Sequence, residues 1–268
     1  MSSAADKRIA FRKLHEAGCF VIPNPWDVGS ARYLVHLGFK ALASTSAGLA
    51  FSRGVADNAV GRDAVLAHLS ELATAVDVPV NADFENGFAH DPEGVAQSVR
   101  LCAQTGVAGL SIEDSTGDAA APLYDLPLAI ERMRAAREAA PDVVLVGRAE
   151  GFLVGRPDLD DVIQRLRAYS DAGADCLYAP GLRSREHIAA VVAAVAPKPV
   201  NVLIGAPIGF TVDDLAQLGV RRISVGGALA RAAWGGFMRA AKQIAEHGTF
   251  DELANAPPHG TLNALFKS

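Results

Sequence analysis

The stretch Cys19-Phe20-Val21-Ile22-Pro23-Asn24-Pro25-Trp26-Asp27 decides between two folds. Its first half is a short apolar run of β-type residues that stops at a proline, and it reads as a strand. In a doubly wound open sheet, the turn after the first strand usually carries a glycine-rich phosphate loop, G-x-G-x-x-G. Here the turn is Asn24-Pro25-Trp26-Asp27, without a glycine. Seven further β-type runs follow at 41–46, 78–83, 109–114, 143–148, 176–179, 199–203 and 222–226. Amphipathic segments separate them. Val65, Leu66, Leu69, Leu72, Ala73 and Val76 recur at helical spacing, as do Leu159, Val162, Ile163, Leu166 and Tyr169. Asp91-Pro92 reads as an N-cap followed by an N1 proline, and Asp158 and Ser184 are further N-caps. Leu37-Gly38-Phe39, Thr105-Gly106-Val107, Ala172-Gly173-Ala174 and Leu218-Gly219-Val220 each place a helix-ending glycine just before a strand. Eight strands alternating with helices over about 230 residues predict a (β/α)8 TIM barrel. Without a linker-like stretch, residues 1–268 read as one domain. A helix at 6–18 precedes the barrel, and a helical tail at 254–268 packs on a neighbour or frays.

Composition narrows the function. Half of the 268 residues are hydrophobic, and 25 Lys and Arg face 30 Asp and Glu for a net charge of −5. No basic run points to nucleic acid. The longest apolar run, 188–196, is far below the roughly 18 residues that cross a bilayer. Cys19, Cys102 and Cys176 are odd in number and far apart, which argues against a disulfide framework. The N-terminus lacks an apolar signal region. The expectation is a cytoplasmic protein whose partner is a small molecule, with no nucleic acid and no membrane.

In such a barrel the reacting groups project from the C-terminal strand ends. In order, these ends offer Trp26 and Asp27, then Ser44-Thr45-Ser46-Ala47-Gly48, then Asn81, Asp83, Glu85 and Asn86. Glu113 and Asp114, Arg148 and Glu150, Tyr178, and Asn201 follow. Oxygen ligands on neighbouring strands suit a hard cation such as Mg2+, with Mn2+ as an alternative. An arginine opposite them suits a carboxylate or phosphonate, which it can grip with two hydrogen bonds. Simpler readings compete: Asp114 could cap a helix, and Arg148 could form a structural ion pair with Glu113 or Glu150. His15, His36, His68, His187 and His247 fall on helices, and Asp91 beside His90 looks like a cap, so a Ser/His/Asp triad has little support. Cys102 shares a helical face with Val95 and Val99 and reads as core. Gly226-Gly227 opens the last helix, where a phosphate or close packing would explain it equally well.

Together, Ser44-Thr45-Ser46-Ala47-Gly48-Leu49, Asn81-Ala82-Asp83-Phe84-Glu85-Asn86-Gly87, Ser111-Ile112-Glu113-Asp114 and Gly147-Arg148-Ala149-Glu150-Gly151-Phe152 resemble the phosphoenolpyruvate mutase/isocitrate lyase superfamily. The resemblance implies Mg2+, a 2-oxo or 2-hydroxy carboxylate, and cleavage or formation of C–C or P–C bonds through an enolate. It implies that Ser46, Ala47 and Gly48 offer donors to the substrate and that Arg148 binds its carboxylate. Asp83 and Glu113 would hold the metal, with Asn81 and Glu85 as further ligands. Asp57 would sit on a closing loop, 51–62, with Gly54 and Gly61 as hinges. It also implies a homodimer or homotetramer; the apolar segment 229–245 is compatible with that interface, and the eighth barrel helix of a monomer would look similar.

The chain departs from that pattern in two places. Asn81 stands where the family often has the first Asp of Asp-x-Asp. The loop after the fourth strand reads Ser115-Thr116-Gly117-Asp118-Ala119-Ala120-Ala121-Pro122-Leu123-Tyr124-Asp125, without the Cys, Lys and His of the family's lyase loop. Tyr178 and Tyr124 remain as proton donors, and Trp26, Asp27 and Asn201 as substrate contacts. The expected activity is a Mg2+-dependent C–C lyase, by decarboxylation or retro-aldol/Claisen cleavage. A phosphonopyruvate-type mutase or hydrolase and a non-catalytic 2-oxo-acid-binding protein are the alternatives.

Overall fold

The computed structural model describes residues 2–267. Helix α1 (Ala4–Glu16) leads into β1 (Phe20–Ile22), α2 (Val28–His36), β2 (Leu42–Ala43), α3 (Ser46–Ser52) and α4 (Arg62–Ala75). There follow β3 (Val80–Asp83), α5 (Pro92–Gln104), β4 (Gly109–Glu113), α6 (Leu126–Ala139), β5 (Val144–Arg148) and α7 (Leu159–Asp171). The barrel ends with β6 (Cys176–Tyr178), α8 (Arg185–Val195), β7 (Val200–Leu203), α9 (Val212–Gln217) and β8 (Arg222–Ser224). Beyond it lie α10 (Ala228–His247), a 3-10 turn (Asp251–Asn255) and α11 (His259–Phe266). All eight strands pair in parallel in one sheet, in the order β1-β8-β7-β6-β5-β4-β3-β2. At the remaining seam the Ala43 N–H donates to the Pro23 carbonyl at 3.1 Å, and Asn24 Nδ2 donates to the Ser44 carbonyl at 2.9 Å. The sheet is thus a nearly closed barrel of the TIM type.

Local chemistry explains the helix ends. Asp91, Asp158 and Ser184 accept backbone N–H groups of the first turns of α5, α7 and α8, as expected. Gly38, Gly106, Gly173 and Gly219 all have φ between +85° and +107°, the left-handed residue that stops each helix. The core faces also match the periodicity: Val65, Leu69, Leu72, Val162, Leu166 and Tyr169 are buried.

Helix α1 plugs the bottom of the barrel. Phe11 is fully buried among Ile22, Ala41, Ala43, Ala108 and Val144, and a Cβ on Gly109 would fall 2.5 Å from its ring. Lys7 Nζ donates to the Ala73 and Val76 carbonyls, tying α1 to the end of α4. Cys19 lies just before β1 and Cys176 begins β6, both at this lower end.

Two expectations are corrected. The run 41–46 is not one strand: β2 ends at Ala43, and Ser46 opens α3 because the Thr45 hydroxyl caps it by accepting the Gly48 N–H at 3.2 Å. The tail packs on its own chain, with α11 against α2 and Phe266 beside Gly29. Its last residue, 268, lies outside the described residues. Helix α10 does not cover the barrel as the other helices do. Ala230 is its only buried residue, while Trp234, Phe237, Met238 and Ile244 are exposed. Among the described residues no helix is long and apolar enough to cross a membrane.

Candidate active site

Sheet register builds the centre of the site. Glu113 pairs with Arg148 across β4 and β5, and Arg148 pairs with Tyr178 across β5 and β6. In-register residues of neighbouring strands point to the same face, so all three reach the barrel mouth together. Arg148 Nη1 lies 2.7 Å from Glu113 Oε1 and 3.3 Å from Asp83 Oδ1, and its Nε contacts Glu150 Oε1. The guanidinium also sits 5.0 Å from the Tyr178 ring centre.

Burial sets the electrostatics. It pushes the Glu113 and Glu150 carboxyls up, against the pull of Arg148. The surrounding carboxylates hold Arg148 firmly protonated although burial opposes this. Glu85 is pushed up to about 7, first by burial and then by Asp83 and Asp57. Tyr178 is pushed up to about 12 by burial, so its phenol stays a hydrogen-bond donor.

Two connected chambers open here. The upper one, about 600 Å3, is bordered by Glu85, Glu113, Glu150 and the 57–61 loop. The lower one, about 190 Å3, runs down the barrel axis past Tyr178, Asn201 and Arg222. Ser46, Asp57, Arg148 and Leu153 border both. In the loop over the mouth, Gly54 has φ +71°, but Gly61 has an ordinary φ of −71° as the residue before α4. Only Gly54 of the two therefore needs glycine's freedom at positive φ. The loop after β4 closes on itself through a Ser115–Leu123 bridge and presents Ser115, Thr116 and Gly117 to the upper chamber.

A family model described as phosphoenolpyruvate phosphomutase matches residues 11–245. The chain belongs to this family. A solved structure from Burkholderia cenocepacia J2315, whose function is stated no more closely than lyase/mutase, is 51% identical to it. Its TM-score is 0.96, over 99% of this chain and 98% of that one. An oxaloacetate decarboxylase of Bradyrhizobium diazoefficiens is 31% identical over 264 residues, 92% of this chain and 85% of that protein. The structure of an oxaloacetate acetylhydrolase in complex with its product oxalate is 28% identical, with a TM-score of 0.85 over 98% of this chain and 93% of that one. The family relatives include C–C lyases and hydrolases, so the chain is an enzyme of the phosphoenolpyruvate mutase/isocitrate lyase superfamily.

Within this family member, the structure brings Ser46, Asp57, Asp83, Glu85, Glu113, Arg148 and Tyr178 to the chambers. The Ser46 N–H donates to Asp83 Oδ2 at 3.0 Å, and the Gly48 N–H is taken by Thr45. Neither N–H is a free substrate donor, whereas the Ser46 hydroxyl, at both chambers, has no protein partner among the described residues. The Ala47 amide, at the lower chamber, has no protein acceptor among the described residues. Asn81 and Asn201 lie deeper, facing Arg222. Asp27 is outside both chambers because its carboxylate caps α2 through the Ser30 N–H at 2.6 Å. Trp26 also stays outside and packs behind α3, its Cβ 2.8 Å from where a Gly48 Cβ would sit. Tyr124 faces away too: its hydroxyl meets His90 Nδ1 at 2.7 Å and Arg132 covers its ring. Arg231 turns to the Gly205 carbonyl, so no side-chain cation faces Gly226-Gly227 from that position.

Arg222 is a part of the site that the sequence analysis did not single out, whereas Glu150 was among its strand-end residues without an assigned role. Glu150 was signalled by its place two residues after Arg148. Arg222 carried no signal, because it begins a strand at the lower end of the barrel.

Proposed function

We propose that the protein is a Mg2+-dependent carbon–carbon lyase that cleaves a small 2-oxo dicarboxylate of the oxaloacetate type by decarboxylation or hydrolytic C–C cleavage. The observation that carries this reading is Arg148, ringed by Asp83, Glu113 and Glu150 beneath a β4–α6 loop that holds no cysteine, lysine or histidine. Likeness to an oxaloacetate decarboxylase and an oxaloacetate acetylhydrolase supports the substrate class.

The donor chemistry fits a hard divalent ion. Several carboxylates crowd one guanidinium, and the burial and then the repulsion by Asp83 and Asp57 that raise Glu85 are what a cation relieves. Among the described residues no three Asp, Glu, His or Cys side chains are already gathered as a metal site; Asp83, Glu113 and Glu150 turn to Arg148 instead. Asp83, Glu85 and Glu113 would hold Mg2+, with Asn81 set back toward Arg222. When bound, the ion supplies a Lewis acid that stabilises negative charge developing on the substrate oxygen. Arg148 grips the substrate carboxylate. The Ala47 amide donates to a substrate oxygen, and the Tyr178 phenol donates where charge develops on the enolate. In decarboxylation the C–C bond electrons pass to the enolate as CO2 leaves, and a proton then restores the keto acid. The loop carrying Asp57 keeps bulk water from the intermediate.

The exposed apolar side of α10 packs on a second copy of the chain, giving a homodimer or homotetramer. Light scattering of wild type and Phe237→Lys tests this, and a monomeric wild type refutes it.

The activity is tested by incubating the protein with oxaloacetate, 2-methylisocitrate, dimethylmalate and phosphonopyruvate, in Mg2+ or EDTA, followed by proton and phosphorus NMR. Mg2+-dependent loss of oxaloacetate is expected. Loss of phosphonopyruvate alone transfers the reading to P–C chemistry. Keto-acid line broadening without turnover makes the chain a binding protein.

A further inference from the structure

The floor of the lower chamber holds a buried cation without an anion. Arg222 is 3% exposed. Its Nε donates to Asn201 Oδ1 at 2.9 Å, and one terminal nitrogen reaches Asn81 Oδ1 at 3.4 Å. The other terminal nitrogen has no protein acceptor among the described residues. No acidic oxygen of those residues lies within 4.0 Å of the group, whereas Arg148 has three carboxylates and Arg165 has two. Arg132, equally buried, is satisfied by three backbone carbonyls. Arg222 instead makes two hydrogen bonds to neutral amides and faces open volume.

A guanidinium taken out of water without a counterion is costly. Around Arg222 the chamber walls are neutral and polar, with Ser111, Ser224 and Tyr178, and the charged groups Asp57, Asp83 and Arg148 also border the chamber. Its about 190 Å3 is room for roughly six waters at about 30 Å3 each, or for a small anion with part of its hydration. Asp83 closes the top of this space but is committed to Arg148 and the Ser46 N–H. Below, burial and then the charge of Arg222 hold His15 neutral, so His15 adds no positive charge on that side.

We infer that the lower chamber is an anion compartment in which Arg222, backed by Asn81 and Asn201, receives a small carboxylate or inorganic oxyanion. This goes beyond the lyase reading and does not depend on turnover. A carboxylate there would be the far end of an extended substrate, and an oxyanion would be a separate ligand.

The test uses the full chain in EDTA at constant ionic strength, with malonate and inorganic phosphate as probes. Calorimetry and thermal unfolding are compared for wild type, Arg222→Gln and Asn81→Asp. Wild type binds at least one probe saturably, with a rise in Tm. Arg222→Gln weakens that binding at least tenfold. Asn81→Asp weakens it similarly, because a built-in carboxylate replaces the ligand, and it raises Tm in anion-free buffer. Binding of malonate alone identifies the substrate-type carboxylate, and binding of phosphate alone identifies a free oxyanion. If Arg222→Gln does not fold, Asn81→Asp still decides. No saturable binding to wild type, or unchanged affinity in the variants that fold, overturns the inference. Since no product is measured, loss of the lyase reading and loss of this one are separate results.

Discussion

Asp114 holds the backbone of Glu150: its Oδ1 accepts the Glu150 N–H at 2.8 Å, 36 residues away in the chain. Its other oxygen takes the Tyr169 hydroxyl at 2.6 Å and Arg165 Nη1 at 3.2 Å. Asp114 therefore does not cap a helix; α6 begins only at Leu126. It anchors the turn after β5, so that Glu150 returns to meet the Nε of Arg148. A buried carboxylate beside the reacting groups acts here through the main chain.

Breaking this anchor weakens the fold. Asp114→Asn leaves the half-exposed Asp161 as the one carboxylate partner of Arg165, beside the Tyr124 carbonyl, and costs about 3 kcal/mol. Tyr169→Phe removes one hydrogen bond and costs about 1 kcal/mol. The double variant costs less than the sum, because both act on one network. Urea unfolding of the three variants measures this, and strict additivity would show that the groups act independently.

Arg148→Met lowers kcat/KM on the accepted keto acid by at least about a hundredfold, since the substrate loses its charged anchor. Arg148→Lys restores only part of that, because an ammonium cannot make the two parallel hydrogen bonds of a guanidinium. Steady-state kinetics distinguishes the two, and full activity in Arg148→Met refutes the assigned role.

Gly48→Ala disturbs α3. The added methyl would lie 2.6 Å from Thr45 Cγ2 and 2.8 Å from Trp26 Cβ. Relief requires α3 to shift, which moves the Ser46 N–H away from Asp83. The expected cost is about 1–3 kcal/mol, with a fall in kcat. Thermal unfolding and turnover of the same preparation check both parts.

His15 makes stability depend on pH. Burial, with Arg222 second, lowers it from 6.5 to about 3. The unfolded chain therefore binds the extra proton between these values, and the folded protein does not. Its contribution to stability is intact above pH 6.5 and is lost as pH falls toward 3, by up to roughly 1.4 kcal/mol per pH unit. Replacing His15 with Phe, between Phe11 and Phe20, makes unfolding free energy less steep between pH 6 and 4. Urea titrations across that range measure the slope, and equal slopes refute the assignment.

Much of the architecture was legible because its causes are local. The periodicity of Val65 to Val76, the caps at Asp91, Asp158 and Ser184, and the glycines ending helices all act within a few residues. The carboxylates and Arg148 were legible as charges ending apolar strands. Asp27 misled for the same reason: a carboxylate at a strand end reads alike whether it faces a cavity or caps the next helix. Thr45 capping α3 likewise cut short what looked like a continuous strand.

By itself the sequence determined the barrel, several helix caps and the residue types at its mouth, since strand alternation, capping and turn chemistry are properties of neighbouring residues. Only the tertiary structure decided that Arg148 is shared by Asp83, Glu113 and Glu150, that Asp114 anchors Glu150, and that Arg222 faces two amides and a cavity. Those relationships join residues brought together by strand register and barrel closure. Whether a buried charge has a partner depends on what faces it across the barrel, which spacing along one strand does not specify.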